Sequence, residues 1–103
     1  MVKKISITLI IQVVANRFEL GAPALKRQTN EHRIVYPRQI AMYLAKQLTT
    51  ASLPYIGQLF GGKHHTTVIY SIAKIAELRR TDGELDALIT QLASQIDPNP
   101  LRQ

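Results

Sequence analysis

The sequence predicts an all-α fold, a small helical bundle that contains a helix-turn-helix of the Trp-repressor type. Apolar residues recur at the three- and four-residue spacing of amphipathic helices, and no segment shows the sustained alternation of a strand with hairpin signals. Gly61 and Gly62 separate a short helical segment from a long one, which is the order of a helix-turn-helix. The 103 residues suffice for one domain, residues 1–103, with one core.

The first helix is expected over about residues 9–18, with Thr8 as its N-cap and Gly21 as its C-terminal stop. Its apolar residues share one face: Ile7, Ile10, Ile11, Val14 and Phe18. Lys3 and Lys4 before this apolar run also resemble the start of a signal peptide. Polar residues interrupt the run, however, and it is shorter than the about 20 apolar residues that span a bilayer. A core helix is therefore the better interpretation.

The next segments are expected to be a short helical turn at residues 23–25 and a basic loop at about residues 26–36. Pro37 should then open a second long helix that runs to about Thr50, because proline is tolerated at the first helical position. One face of that helix is apolar: Ile40, Ala41, Leu44 and Leu48. The other face carries Arg38, Gln39 and Lys46, and it is either solvated or grips phosphates.

The helix-turn-helix is expected over about residues 52–80. Ser52 should cap a short helix that has Pro54 in its first turn and ends near Phe60. The recognition helix follows over about residues 64–80, with Val68, Ile69, Ile72, Ile75 and Ala76 inward and Thr66, Thr67, Tyr70 and Lys74 on the other face. A last helix, residues 84–96, has Asp82 as its cap, ends before Pro98 and Pro100, and directs Leu85, Leu88, Ile89, Leu92 and Ile96 inward.

The charge of the chain is basic and unevenly distributed. The net charge is +6 at pH 7, and the isoelectric point is about 10.0. Seven cations between Leu20 and Ala76 meet a single acid, Glu31, whereas five of the seven acids follow from Glu77 onward. A basic middle of this kind indicates a surface that faces a polyanion, and a basic protein without a nucleic-acid partner is the alternative. The absence of cysteine excludes disulfides and thiolate metal sites and fits a cytosolic protein.

Short hydrogen-bonding side chains follow the glycine turn, beside a cation. Lys63, His64, His65, Thr66 and Thr67 stand at the turn and first helical positions, where a recognition helix contacts base edges. Threonine hydroxyls can bind either kind of edge, and their methyl groups can pack on thymine methyls. His65 also lies on the side of the inward residues, so a partly buried structural histidine is its alternative. An ordinary helical hairpin is the alternative to the helix-turn-helix.

Other chemistries find no support in the sequence. Residues 57–63 match the start of a P-loop, but His64 replaces the Ser or Thr that would hold magnesium, and no strand precedes them. Two adjacent helical histidines point about 100° apart and have no carboxylate nearby, which argues against a metal site. No nucleophile elbow, carboxylate pair or triad is present, so neither an enzyme nor a cofactor is expected.

Three segments, residues 36–42, 52–57 and 61–68, resemble the C-terminal DNA-binding domain of the bacterial replication initiator DnaA and follow one another in the same order. The resemblance covers roughly residues 5–78. It implies binding to double-stranded DNA at DnaA boxes, the short asymmetric sites of replication origins, in the cytoplasm at the nucleoid, with no membrane and no small-molecule substrate. Full-length members bind ATP through a domain that this chain lacks. The chain is therefore expected to be an excised fragment or a stand-alone DnaA-like protein.

The resemblance also assigns roles to individual residues. The stretch from Lys63 to Thr67 reads the major groove, with His65 and Thr66 on bases and Thr67 in support. The remaining contacts that it implies are Leu53 and Pro54 near thymine methyls and Arg38, Gln39 and Lys46 along the phosphates. Apart from the resemblance, the cations Lys26, Arg27, Arg38 and Lys46 are expected to bind DNA of any sequence. An arginine of the basic loop enters the minor groove in the family, and Arg27 takes this place if a gap is allowed, whereas a gapless match puts Asn30 there.

His64 departs from the family pattern, which has an aspartate at this position. Aspartate accepts from cytosine N4 and caps the helix, whereas histidine more naturally donates, for example to guanine N7, and is a poorer cap. An altered or relaxed base preference is therefore expected. Two alternatives to a replication function remain: a stand-alone regulator or mobile-element protein with the same domain, and a basic helical module that binds an acidic protein.

Overall fold

Six helical elements carry the chain in the computed structural model, which describes residues 5–98. In chain order they are α1 (Ile7–Arg17), a 3-10 helix (Ala22–Lys26), α2 (His32–Leu48), α3 (Leu53–Leu59), α4 (His65–Thr81) and α5 (Gly83–Ile96). No strand occurs among residues 5–98, and the predicted all-α class and its short turn are confirmed. Lys3, Lys4 and Pro100 lie outside the described residues.

The central element of the bundle is α2. Every residue from Pro37 to Ala45 is buried, although a helix that packs on one side buries only one stripe. The other five elements all contact α2, so this stretch has no solvated face. The outer helices bury single stripes instead, and the predicted inward residues of α1 and α5 are confirmed, with Phe18 and Leu88 only partly buried.

The first helix begins and ends earlier than predicted. Ser6 rather than Thr8 is its N-cap, because the Ser6 hydroxyl accepts the amide N–H of Leu9 at 3.1 Å. The helix ends at Arg17, and Glu19 takes the left-handed conformation with φ 59°, a place that glycine usually fills. Gly21 instead precedes the 3-10 helix with φ −78°.

The predicted start of α2 at Pro37 is wrong, and most of the predicted basic loop at residues 26–36 is helical or turn-like. The helix begins at His32, so Pro37 lies in its interior, where it offers no amide N–H to the carbonyl of Arg33. Packing explains the earlier start, because Ile34 is fully buried and the Tyr36 ring meets Phe18 edge-to-face at 6.2 Å. The term basic loop is used below for residues 27–31.

The helix-turn-helix is present as predicted. The Ser52 hydroxyl accepts the Tyr55 amide at 3.2 Å and caps α3, and the two glycines of the turn have φ 86° and 79°. The predicted inward face of α4 needs correction, since Ile69 and Ala76 are exposed and Ser71 is buried. The packed stripe, centred on Val68, Ser71 and Ile75, is rotated away from the stripe that hydropathy alone suggests.

The last helix is capped as predicted. The Asp82 carboxylate accepts the amides of Glu84 and Leu85, each at 3.1 Å, and α5 begins at Gly83, one residue earlier than expected. None of the helices of residues 5–98 has the length and apolar character required to cross a membrane.

Candidate nucleic-acid interface

The first residues of α4 form an exposed hydrogen-bonding surface. His64, His65, Thr66 and Thr67 are all exposed. His64 is the N-cap of α4, and its Nδ1 atom accepts the Thr66 amide at 3.2 Å. The imidazole rings of His64 and His65 stack with their centroids 4.4 Å apart. His65 is therefore not the partly buried structural histidine that the helical wheel allowed.

The exposed surface of α4 continues beyond its first turn. Tyr70 follows Thr66 and Thr67 on the same side of the helix and is 61% exposed. The Lys74 ammonium lies 5.9 Å from the centre of the Tyr70 ring, within cation–π range. Both side chains were predicted to lie on this face, but neither was predicted to contact DNA. Their helical spacing from Thr66 and Thr67 was the signal that could have indicated such a contact.

Two glycines, Gly57 within α3 and Gly61 in the turn that follows it, leave no room for a side chain. A Cβ atom at Gly57 would lie 2.2 Å from the carbonyl oxygen of Lys63, and one at Gly61 would lie 2.2 Å from that of Lys26. The Lys63 amide also donates to the Gly57 carbonyl at 2.8 Å. These close approaches fix α4 against α3 and bring the end of the 3-10 helix against the turn.

Lys63, a predicted base-reading residue, uses its ammonium group within the protein. Its Nζ atom donates to the carbonyl of Phe60 at 2.9 Å and to that of Lys26 at 3.2 Å. Burial lowers the pKa of Lys63, and the nearby positive charge of Arg38 lowers it further. The side chain therefore ties the turn to the 3-10 helix, and its contact with bases stays a prediction.

The sequence predicted that Arg38 and Gln39 lie on the face of α2 opposite its apolar face, open to solvent or to phosphates. That prediction is wrong, since the two residues are only 6% and 5% exposed. Both belong to the part of α2 that is surrounded by other elements. The Arg38 Nε atom donates to the Leu25 carbonyl at 3.1 Å, and a terminal nitrogen donates to the Arg27 carbonyl at 2.7 Å and to the Thr29 carbonyl at 3.5 Å. Burial lowers the pKa of the Arg38 guanidinium.

Arg38 thus holds the basic loop in place. Such a role has no signature in the sequence, because its acceptors are backbone carbonyls. It could therefore not be predicted from the sequence. A phosphate contact by Arg38 or Gln39 stays a prediction, and the burial of both side chains favours an indirect contribution.

The side chains of the basic loop remain available at the surface. Arg27 and Asn30 of this loop are exposed, as is Lys26 at the end of the 3-10 helix, so both minor-groove candidates, Arg27 and Asn30, are accessible. Arg27 makes a long, exposed ion pair with Glu31 at 3.5 Å, which contributes little stability in water. The side-chain amide of Gln28 donates to the Gly61 carbonyl at 3.4 Å, which adds a further link between the loop and the turn.

The remaining predicted contacts lie on α2 and α3. Lys46 near the end of α2 is exposed, as is Pro54 in the first turn of α3, while Leu53 is partly buried. A short helix, a glycine turn and a longer helix with an exposed polar start, beside a basic loop, together define a helix-turn-helix DNA-binding domain. That is the class of protein to which this fold and surface belong.

Comparison with known proteins identifies the family. The family model described as the bacterial DnaA protein helix-turn-helix matches residues 7–75, and the chain belongs to this family. The chromosomal replication initiator protein DnaA of Lactobacillus delbrueckii subsp. bulgaricus is 47% identical over 93 residues, which are 90% of this chain and 20% of that protein. The DnaA protein of Thermus thermophilus is 49% identical over 83 residues, 81% of this chain and 19% of that protein.

A solved structure has the same fold. The crystal structure of a DNA replication initiation factor superposes with a TM-score of 0.78 at 30% identity, covering 87% of this chain and 27% of that one. The chain spans about a fifth of the length of the curated relatives described above.

Proposed function

We propose that this chain binds double-stranded DNA sequence-specifically, at DnaA-box-like sites, in the initiation or regulation of chromosomal replication. The observation that carries the proposal is the exposed start of α4 beside a fastened basic loop. Family membership supports it, since replication initiators contain this type of helix-turn-helix. The role is non-enzymatic and requires no cofactor of the domain itself, and its place is the cytoplasm, at the nucleoid.

In the proposed complex, one kind of contact provides affinity and another provides specificity. The exposed cations Lys26, Arg27 and Lys46 neutralise phosphates and provide affinity for any sequence. The exposed side chains at the start of α4, from His64 to Thr67, bind base edges in the major groove and provide specificity. Leu53 and Pro54, at the start of α3, pack near thymine methyls at the edge of the same surface.

Base reading is tested by replacing Thr66 with alanine. Binding is measured by fluorescence anisotropy on a DnaA-box duplex and on a scrambled duplex of equal composition. Thr66→Ala should weaken binding to the box by about 1–3 kcal/mol and leave the scrambled duplex unaffected. Thr81→Ala, at the exposed far end of the same helix, is the matched control and should change neither. Equal losses on both duplexes would contradict the assignment.

Phosphate contacts are tested by the salt dependence of binding. Lys46→Met should weaken binding to both duplexes and reduce the slope of log affinity against log salt by about one. Arg80→Met is the control, because this side chain is 76% exposed near the C-terminal end of α4. Absence of any duplex binding at low salt would refute the proposal and favour an acidic protein partner.

The minor-groove residue is tested with two further variants. Arg27→Ala and Asn30→Ala are compared on boxes whose flanking base pairs are A·T or G·C, since the minor groove distinguishes mainly these two classes. The residue that enters the groove is the one whose replacement reduces the preference for A·T flanks. Arg27 is the expected one, because arginine is attracted to the narrow minor groove of A·T-rich DNA.

A further inference from the structure

We infer that His64 and Thr66 present a fixed pair of groups to the major groove, with His64 Nε2 as a hydrogen-bond donor and Thr66 Oγ1 as an acceptor. The inference rests on the proposed function and specifies which bases this part of α4 selects. It follows from the hydrogen bonds that close the N-terminus of the helix.

The proton of His64 is placed by its role as a cap. The Thr66 amide, which can only donate, lies 3.2 Å from His64 Nδ1. The cap therefore assigns Nδ1 a lone pair and no proton. A neutral imidazole with a bare Nδ1 carries its proton on Nε2, so Nε2–H is a donor.

The hydroxyl of Thr66 is oriented by the same nitrogen. Its Oγ1 atom lies 2.8 Å from His64 Nδ1, and with Nδ1 assigned as an acceptor the hydroxyl is the donor of this contact, so the Thr66 amide and hydroxyl share the one lone pair of Nδ1. The donor capacity of Thr66 is thereby used within the protein. Its oxygen lone pairs remain, so Thr66 meets a ligand as an acceptor.

The His64 ring is also held in its orientation. The His65 ring stacks against it with an angle of 29° between the planes. Both rings are exposed, so the Nε2 atom is the ring nitrogen of His64 that remains free for a ligand. The donor and the acceptor therefore stand side by side at the start of the recognition helix before DNA arrives.

This pattern selects bases by their chemistry. A donor at Nε2 requires an acceptor in the major groove, namely guanine N7 or O6, adenine N7 or thymine O4. Cytosine presents only its N4 amino donor there and is rejected by a donor. A carboxylate at position 64 could cap the helix in the same way but would present an acceptor, so it should select cytosine instead.

The test is selection of bound duplexes from a random pool by the wild type and by His64→Asp. The wild type should prefer guanine over cytosine by about tenfold at one position of the site, and His64→Asp should reverse that preference there and nowhere else. His64→Asn, which carries both a donor and an acceptor, should relax it. Thr81→Asp adds the same charge at the other end of α4 and should leave every position unchanged.

Two results would overturn the inference while the proposed function stands. One is the same preferred base for the wild type and for His64→Asp, with both proteins folded by circular dichroism. The other is an NMR measurement of the free wild-type protein, at neutral pH, that finds the His64 proton on Nδ1. A wild type that binds no duplex at all overturns the proposed function and the inference with it, whereas binding with an unchanged preference overturns the inference alone.

Discussion

Replacement of Arg38 by methionine is expected to lower the free energy of unfolding by about 3–6 kcal/mol. Two of its hydrogen bonds, at 3.1 Å to Leu25 and 2.7 Å to Arg27, have good lengths, and a bond from a charged donor contributes about 1.5–3 kcal/mol. The third, at 3.5 Å to Thr29, is too long to add much. Methionine keeps most of the packing of the side chain, so the loss comes from the carbonyls that it leaves unpaired.

The prediction is checked by urea denaturation followed by circular dichroism. Arg33→Met is the control, because the Arg33 side chain is 63% exposed on the same helix, and its replacement should change stability by no more than about 0.5 kcal/mol. Arg38→Lys should fall between the wild type and Arg38→Met, since an ammonium cannot reproduce the forked donors of a guanidinium. A loss below about 1 kcal/mol for Arg38→Met, or one equal to that of Arg33→Met, would refute the reasoning.

Four further substitutions test three other contacts by the same denaturation assay. Gly61→Ala should lower the free energy of unfolding by more than about 3 kcal/mol, because its Cβ would lie 2.2 Å from the Lys26 carbonyl oxygen. Gly62→Ala, whose Cβ would have nothing within 4 Å, should lower it by only about 1–2 kcal/mol, the cost of the left-handed conformation for a residue with a side chain. Equal losses for the two would contradict the close approach. Ser52→Ala should remove the cap of α3 and lower stability by about 0.5–2 kcal/mol, and an unchanged midpoint would argue against that cap. Tyr43→Phe should lose about 1 kcal/mol, because the Tyr43 hydroxyl accepts from Arg79 at 3.0 Å, and it should lose nothing further when Arg79 is already replaced.

The sequence predicted best those elements whose ends are defined by neighbouring residues. Ser52 and Asp82 cap their helices by hydrogen bonds to amides two or three positions on, so the signal and its partner lie together in the sequence. The start of α2 was mispredicted because Pro37 gives a strong local signal for a first helical position. The burial of Ile34 and the contact of Tyr36 with Phe18, the residue that follows α1, outweigh that signal, and this contact joins residues that are distant in the sequence.

The same distinction applies to the candidate site, where some features could be predicted from neighbouring residues and others could not. The exposure of Thr66 and Thr67 follows from the periodicity of α4 and could be predicted. The inward positions of Arg38 and Lys63 could not, because both cations bind carbonyl oxygens of the backbone. Every residue carries such an oxygen, so only the folded path of the loop reveals which ones are within reach.

The atoms that stabilise the basic loop also set its position relative to the recognition helix. The Lys26 carbonyl accepts from Lys63 and packs directly against Gly61, while Gln28 donates to the carbonyl of that glycine. Loop and turn are therefore joined by side-chain donors that bind main-chain carbonyl oxygens, and those acceptors carry no sequence information. Ordering a mobile side chain on binding costs about 0.5–1.5 kcal/mol, and a fastened loop avoids much of that cost. In the proposed complex, a base contact in one groove and a loop contact in the other are then geometrically coupled. A substitution that breaks the link between loop and turn should therefore weaken both contacts, although the replaced residue does not itself contact DNA.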